Sequence, residues 1–209
     1  MSRKLLSLTA LGAASLMALT ACSGGTASSS QSSTSAAASS SSSAPSSITI
    51  ESDQGNVEVK LPVQRVASLD NRTFEVLEQW NVPLVAAPKK LIPSTVKAYN
   101  TDSVADIGMH RDPNLEALAA SNPDLIISGQ RFTRFDSQIA EMNPGVPMIN
   151  LEPRDGKPLN EELIRQVTDL GEIFGHQEDA KKLVDDFNNA LNRAKKAYDG
   201  KSTVMAVDV

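Results

Sequence analysis

The sequence predicts an α/β fold, a lobe with a mainly parallel β-sheet flanked by helices and followed by one long helix. Three observations predict it. From residue 65 onward, short apolar runs alternate with segments of helical periodicity across short connections, which implies right-handed crossovers and a parallel sheet. The run Leu125-Ile126-Ile127 has no polar face, as expected of a central strand covered on both sides. Residues 177–198 place Ala180, Leu183, Val184, Phe187, Ala190, Leu191, Ala194 and Tyr198 on one helical face. At 1.5 Å per residue that is about 33 Å, the breadth of a small domain.

The elements follow in order. Ile48 to Glu51 and Val57 to Lys60 alternate apolar and polar residues around Asp53-Gln54-Gly55-Asn56, the pattern of a hairpin. Arg65–Leu69 reads as a strand and Thr73–Trp80 as a short helix with Phe74, Val76 and Leu77 inward. Pro83–Ala87 is the second strand, a weak helix is expected around Ser94–Tyr99, and Val104–Ile107 is a short third strand. Asp112 is expected to cap a helix that has Pro113 in its first turn. Asp124–Ser128 is the fourth strand, Arg134–Met142 a helix and Pro147–Leu151 the fifth strand. Asn160–Phe174 has a helical apolar stripe with Asn160 as expected cap, an internal Gly171 that weakens it and Gly175 to close it. The long helix then runs to Asp199-Gly200.

Upstream of these elements the chain has a different character. Arg3 and Lys4 precede an apolar stretch, Leu5–Leu19, too short for a comfortable membrane span, and small residues follow: the layout of a secretory signal over residues 1–21. Leu19-Thr20-Ala21-Cys22 resembles the lipobox of bacterial lipoproteins, which implies cleavage before Cys22 and lipid on that residue. Cys22 is the only cysteine, so no intrachain disulfide can form. Residues 22–47 are mostly Ser with Ala, Gly and Thr and no charge, so they are expected to form a flexible tether. The folded lobe is expected over residues 48–175, the long helix over 176–200, and the opening strand of a further lobe over 201–209.

Without Arg3 and Lys4 the chain has 18 basic against 25 acidic residues, a net charge of −7. With no long basic run, nucleic acid is excluded as the main partner. An anion site must therefore be a local cluster. In an open parallel sheet, ligands sit outside the carboxyl ends of the strands. The residues just after the five strands are Asp70, Asn71 and Arg72; Lys89 and Lys90; His110 and Arg111; Gln130, Arg131 and Arg134; and Glu152 and Arg154. Each strand end thus carries a potential cation. Any one of them is ordinarily a solvated loop residue; the row of them is the signal.

The segment Asn114-Leu-Glu-Ala-Leu to Asn122-Pro-Asp-Leu-Ile-Ile127, with the lipobox, the Ser-rich tether and the long helix, resembles the helical-backbone substrate-binding proteins of ABC importers, specifically their ferric-siderophore branch. The resemblance implies two α/β lobes joined by a rigid helix, with the ligand in the cleft between them; the second lobe is missing from this chain, which looks truncated. It implies an extracytoplasmic, lipid-anchored protein at the cell membrane that captures an anionic, catecholate-type ferric siderophore and passes it to a permease. Iron arrives inside the chelate, and no intrinsic cofactor is implied. Catecholate-binding relatives have Ser-Gly-Arg after the fourth strand; here Ser128-Gly129-Gln130-Arg131 displaces the Arg by one, so Arg131 takes the role, with Gln130 as a donor and Arg134 one turn on. Glu75 and Glu116 correspond to acidic residues that dock the permease, and each is also an ordinary acid near a helix N-terminus.

Other readings stand beside this one. Haem or cobalamin would suit the same architecture, and haem would call on His110. A lipid-anchored α/β hydrolase would need a base near its nucleophile, and the sequence shows no partner for Ser128. A surface interaction protein is the remaining class. His110 and His176 are the only histidines and have no carboxylate at ligand spacing, so no protein metal site is expected. Phosphate-loop, nucleophile-elbow and dinucleotide fingerprints are absent, so no enzyme is expected.

Overall fold

The computed structural model describes residues 45–203; the expected signal, Cys22, most of the tether and residues 204–209 lie outside the described residues. The chain opens with a hairpin, β1 (Ser47–Ser52) and β2 (Gly55–Lys60), paired from Ser47 opposite Lys60 to Ser52 opposite Gly55. There follow β3 (Val66–Ser68), α1 (Phe74–Gln79), β4 (Leu84–Ala87) and a 3-10 turn at Lys89–Leu91. Next come β5 (Ala105–Asp106), β6 (Gly108–Met109), β7 (Asp112–Pro113) and α2 (Leu115–Ala120). The lobe continues with β8 (Leu125–Ser128), a 3-10 segment over Gln130–Phe135, α3 (Asp136–Met142) and β9 (Met148–Asn150). Two long helices close it, α4 (Leu159–Phe174) and α5 (Gln177–Ala197).

The central sheet has the order β5-β4-β3-β8-β9 and every pairing is parallel. The winding reverses between β3 and β8, so their carboxyl ends diverge at one crevice. Successive residues of each strand face opposite layers. Val66, Leu125 and Ile127 join Ile50, Val59, Phe74, Leu77, Trp80, Leu170 and Ile173 on one face, under the hairpin, α1 and α4. Ala67 and Ile126 join Leu115, Leu118, Phe132 and Ile139 on the other, under α2 and α3.

Several expectations are corrected. Asp112 does not cap a helix: Asp112–Pro113 pairs with Gly108–Met109, which makes His110 and Arg111 the tip of a small hairpin. Asn114 is the cap, its side chain accepting from the Ala117 amide at 2.8 Å. Ser94–Tyr99 is not helical, because the Lys97 and Ala98 amides donate to Glu78 of α1 at 2.6 and 2.7 Å and the Tyr99 hydroxyl donates to the Val82 carbonyl at 2.8 Å. The helix expected from Arg134 begins at Asp136, after the 3-10 segment. Asn160 is not a cap either; Pro158 precedes α4 and its carbonyl accepts the Glu161 and Glu162 amides.

Gly171 has a packing reason. A Cβ there would lie 2.6 Å from the Cβ of Ala180, so its absence lets α4 and α5 approach. His176 joins the two helices and stacks on Trp80, ring centroids 5.2 Å apart and 6° from parallel.

Candidate functional site

The site is built where β3 and β8 end. Beyond Ser68 the chain enters Leu69-Asp70-Asn71; beyond Ser128 it enters Gly129-Gln130-Arg131. Gly129 is required here because a Cβ would sit 2.9 Å from Oδ2 of Asp70. Gln130 is left-handed, φ 57°, a conformation that non-glycine residues adopt at a cost. The hairpin tip supplies His110. Together Leu69, Asn71, Leu91, His110, Gln130, Arg131 and Phe132 line a cleft of about 210 Å³.

His110 is the hub of this cleft. A guanidinium nitrogen of Arg131 donates to its Nε2 at 3.4 Å, a long bond, and Arg134 donates to its carbonyl. Phe132 meets the imidazole edge to face at 6.4 Å. Burial first, then the charges of Arg131, Arg134 and Arg111, hold the His110 pKa below its usual value. The ring is therefore neutral near pH 7.

Beneath the rim lies a polar layer that the sequence reading missed. Ser128, fully buried, donates to Asp136, which also accepts from Gln54 at 2.8 Å. Burial raises the Asp136 pKa. Ser128 thus has a partner after all, but no solvent reaches it, so the pair braces the strand end and offers no nucleophile. Ser68 and Thr73 share a 2.8 Å bond, and Ser52 donates to the Asn150 carbonyl at 3.2 Å. The signal available for this layer was a Ser closing both central strands, Ser68 and Ser128.

The row of strand-end cations is narrower than expected. Arg72 is bonded to buried Asp70 through Nε and a terminal nitrogen, the latter at 2.6 Å, and Glu152 lies 3.6 Å away. Arg154 is bound to Glu162 at 2.7 Å and Glu51 at 2.6 Å, tying the chain after β9 to α4 and β1. Both are therefore framework ions and bring little free charge to the cleft. Lys89 donates to the Thr101 carbonyl at 2.7 Å, while Lys90 and Arg111 are exposed beside the site. Asn71, His110, Gln130 and Arg131 come together, with Arg134 joined to them through His110. Glu75 and Glu116 are exposed in the first turns of α1 and α2, Glu75 accepting from Thr95 at 2.8 Å. Among the described residues no cluster of three or more His, Cys, Asp or Glu could hold a metal ion, and no helix is long and apolar enough to cross a membrane.

A doubly wound parallel sheet with a polar crevice at its switch point and long helices at its end defines the class: an α/β lobe of the binding-protein type. The chain belongs to the periplasmic binding protein family, whose model matches residues 66–207. It is 32% identical over 139 residues to the ferric-anguibactin-binding protein FatB of Vibrio anguillarum, covering 66% of this chain and 43% of FatB. It is 22% identical over 146 residues to the petrobactin-binding protein YclQ of Bacillus subtilis, covering 69% of this chain and 45% of YclQ. The chain therefore spans less than half the length of either relative. Among solved structures, the siderophore-binding protein BauB, bound to two acinetobactin molecules and ferric iron, superposes with a TM-score of 0.63 at 24% identity, over 70% of this chain and 52% of BauB. At that identity the superposition speaks for the fold.

Proposed function

We propose that this lobe captures a ferric siderophore with net negative charge, of the catecholate or mixed catecholate–carboxylate type, and presents it to the permease of an ABC importer. The observation that carries this reading is the convergence of Arg131 and Arg134 on His110 at the crevice between β3 and β8, in a chain whose overall charge is negative. At an effective dielectric near 20, one cation about 4 Å from one negative charge contributes roughly 4 kcal/mol before desolvation. Planar guanidinium groups suit fixed arrays of chelate oxygens. The names of FatB and YclQ, both siderophore-binding proteins, support the same ligand class.

The proposal extends to place and partners. Cys22 carries lipid and holds the lobe at the extracytoplasmic face of the cell membrane, while Glu75 and Glu116 dock basic residues of the permease. Mass spectrometry of the protein from a bacterial membrane fraction tests the first part, with loss of membrane attachment expected in Cys22→Ser.

Calorimetric titration tests the ligand. Trp80 is a poor reporter, since it lies among Asn81, Val82 and Pro83, before β4, at the end of the sheet away from the cleft. The expected result is binding of an anionic ferric catecholate that weakens with salt and drops at least about tenfold in Arg131→Ala. Equal affinity for a neutral hydroxamate chelate, or a preference for haem, overturns the assignment.

A further inference from the structure

Two guanidinium groups, that of Arg131 in the cleft and that of Arg134 beside it, meet at one residue. His110 sits at the tip of the β6–β7 hairpin, is 8% exposed, and is gripped from the Gln130–Phe135 segment by three side chains: Phe132 against its ring, Arg131 at Nε2 and Arg134 at its carbonyl. Arginine only donates, so Nε2 must accept, and the ring proton must lie on Nδ1. The Arg134 bond uses the backbone and survives any side-chain change; the Arg131 bond depends on the imidazole alone.

We infer that His110 is a positioning residue, whose neutral Nε2 holds the Arg131 guanidinium in the cleft for an anionic chelate. The inference rests on the capture reading above. Free Arg side chains have many rotamers, and a group already held loses less entropy when the ligand arrives. A second consequence concerns acid. The charged neighbours of the ring are Arg131 and Arg134 from the facing segment and Arg111 beside it on the hairpin tip, and the Lys89–Leu91 turn that packs on β6 adds Lys89 and Lys90 nearby. Protonation removes the Nε2 lone pair and sets another positive charge against Arg131, so the guanidinium is released. Burial and the neighbouring guanidinium charges shift this protonation to lower pH than for a free imidazole.

Three measurements on the full chain decide it. His110→Leu removes the acceptor and is expected to weaken an anionic ferric catecholate about tenfold, while His110→Gln, with an amide oxygen near the Nε2 position, stays within about twofold of the parent. In the Arg131→Ala background, His110→Leu is expected to cost less than about twofold, since the group it holds is gone. The same tenfold loss in both backgrounds would mean that His110 touches the ligand directly, which overturns the inference. Nitrogen-15 NMR of the ligand-free protein gives a readout independent of binding: the expected state at pH 7 is the Nδ1-protonated neutral tautomer, titrating below the ordinary 6.5 and moving up in Arg131→Ala. A proton on Nε2 at pH 7 rules the bond out. If the folded chain binds none of the chelates, the capture reading fails and the tautomer still decides the His110–Arg131 bond.

Discussion

The Arg72 guanidinium lies 2.6 Å from the carboxylate of Asp70, a side chain with no exposed surface, and Asp70 also accepts from the Arg72 amide at 3.0 Å. The pair closes a loop over the end of β3 and packs against Gly129 at the end of β8. Its charge is internally balanced, which decides how Arg72 and Arg131 differ although both follow a central strand.

Arg72→Ala is accordingly expected to act mainly on stability. It strands a buried carboxylate, at a cost of about 2 kcal/mol or more. Chelate affinity should fall less than about threefold, against at least about tenfold for Arg131→Ala. Urea denaturation alongside calorimetric titration separates the two. A larger affinity loss in Arg72→Ala would show that Asp70 does not neutralise it.

Arg154→Ala makes a similar case with a pH signature. Its hydrogen bonds hold the Glu162 carboxyl down at about 2, against an ordinary 4.5. A depressed acid contributes stability that is fully present above its unfolded value and is lost as pH falls toward the folded one. The parent should thus lose this contribution progressively as the pH falls from 4.5 toward about 2, whereas the variant, less stable at neutral pH, should show a shallower decline and converge on the parent in acid, while chelate affinity near neutrality stays within about twofold. Thermal denaturation between pH 3 and 7 is the check, and superimposable profiles for parent and variant would refute the assignment.

How much of this was legible follows from how local each interaction is. The five parallel strands could be read because their apolar runs and the turns between them are local patterns, and the switch-point rule then located the crevice without any contact being known. That rule put Gln130 and Arg131 beside the crevice, and both line the cleft. Arg154 reads as a free cation in the sequence because its partners, Glu162 eight residues on and Glu51 103 residues back, meet it only once α4 and β1 have packed, and no local pattern announces that. Arg72 was misjudged for the opposite reason: Asp70 is two residues away, but only the burial of its carboxylate shows that the two neutralise each other. Asp112 resembled a cap until strand pairing drew it into β7, an outcome set by tertiary contacts that outweigh the local preference.

Gly171→Ala tests the α4–α5 junction. Helix propensity alone would favour Ala by about 1 kcal/mol. The added methyl would lie 2.6 Å from the Ala180 Cβ and 3.2 Å from the His176 carbonyl, both at the start of α5. Steric overlap outweighs propensity here, and a net loss of roughly 1–3 kcal/mol is expected, read by urea denaturation. The indole fluorescence of Trp80 should change as well, because His176 stacks on it. A stabilised variant with unchanged fluorescence would mean that α5 stands farther from α4 than the contact requires.

Asp169→Asn probes a carboxylate held under strain of charge. Burial raises its pKa from 3.8 to about 6, with Glu172 and Glu51 adding to the rise and Arg165, 3.3 Å away, opposing it. Below 3.8 both folded and unfolded chains hold the proton and there is no cost. Between 3.8 and about 6 the unfolded chain releases its proton and the folded chain keeps it, so stability declines as pH rises; above about 6 the cost is complete. The Asn variant should remove that decline and, with allowance for solvent screening, gain about 1 kcal/mol at pH 7.5 while matching the parent at acid pH. Arg165 is not orphaned by the change, since Glu162 accepts from it at 3.0 Å and the Glu51 and Glu152 carbonyls at 3.0 and 2.9 Å. Urea titrations from pH 4 to 8 measure the difference. Loss of stability at pH 7.5 in the variant would establish that attraction to Arg165 outweighs the desolvation of Asp169.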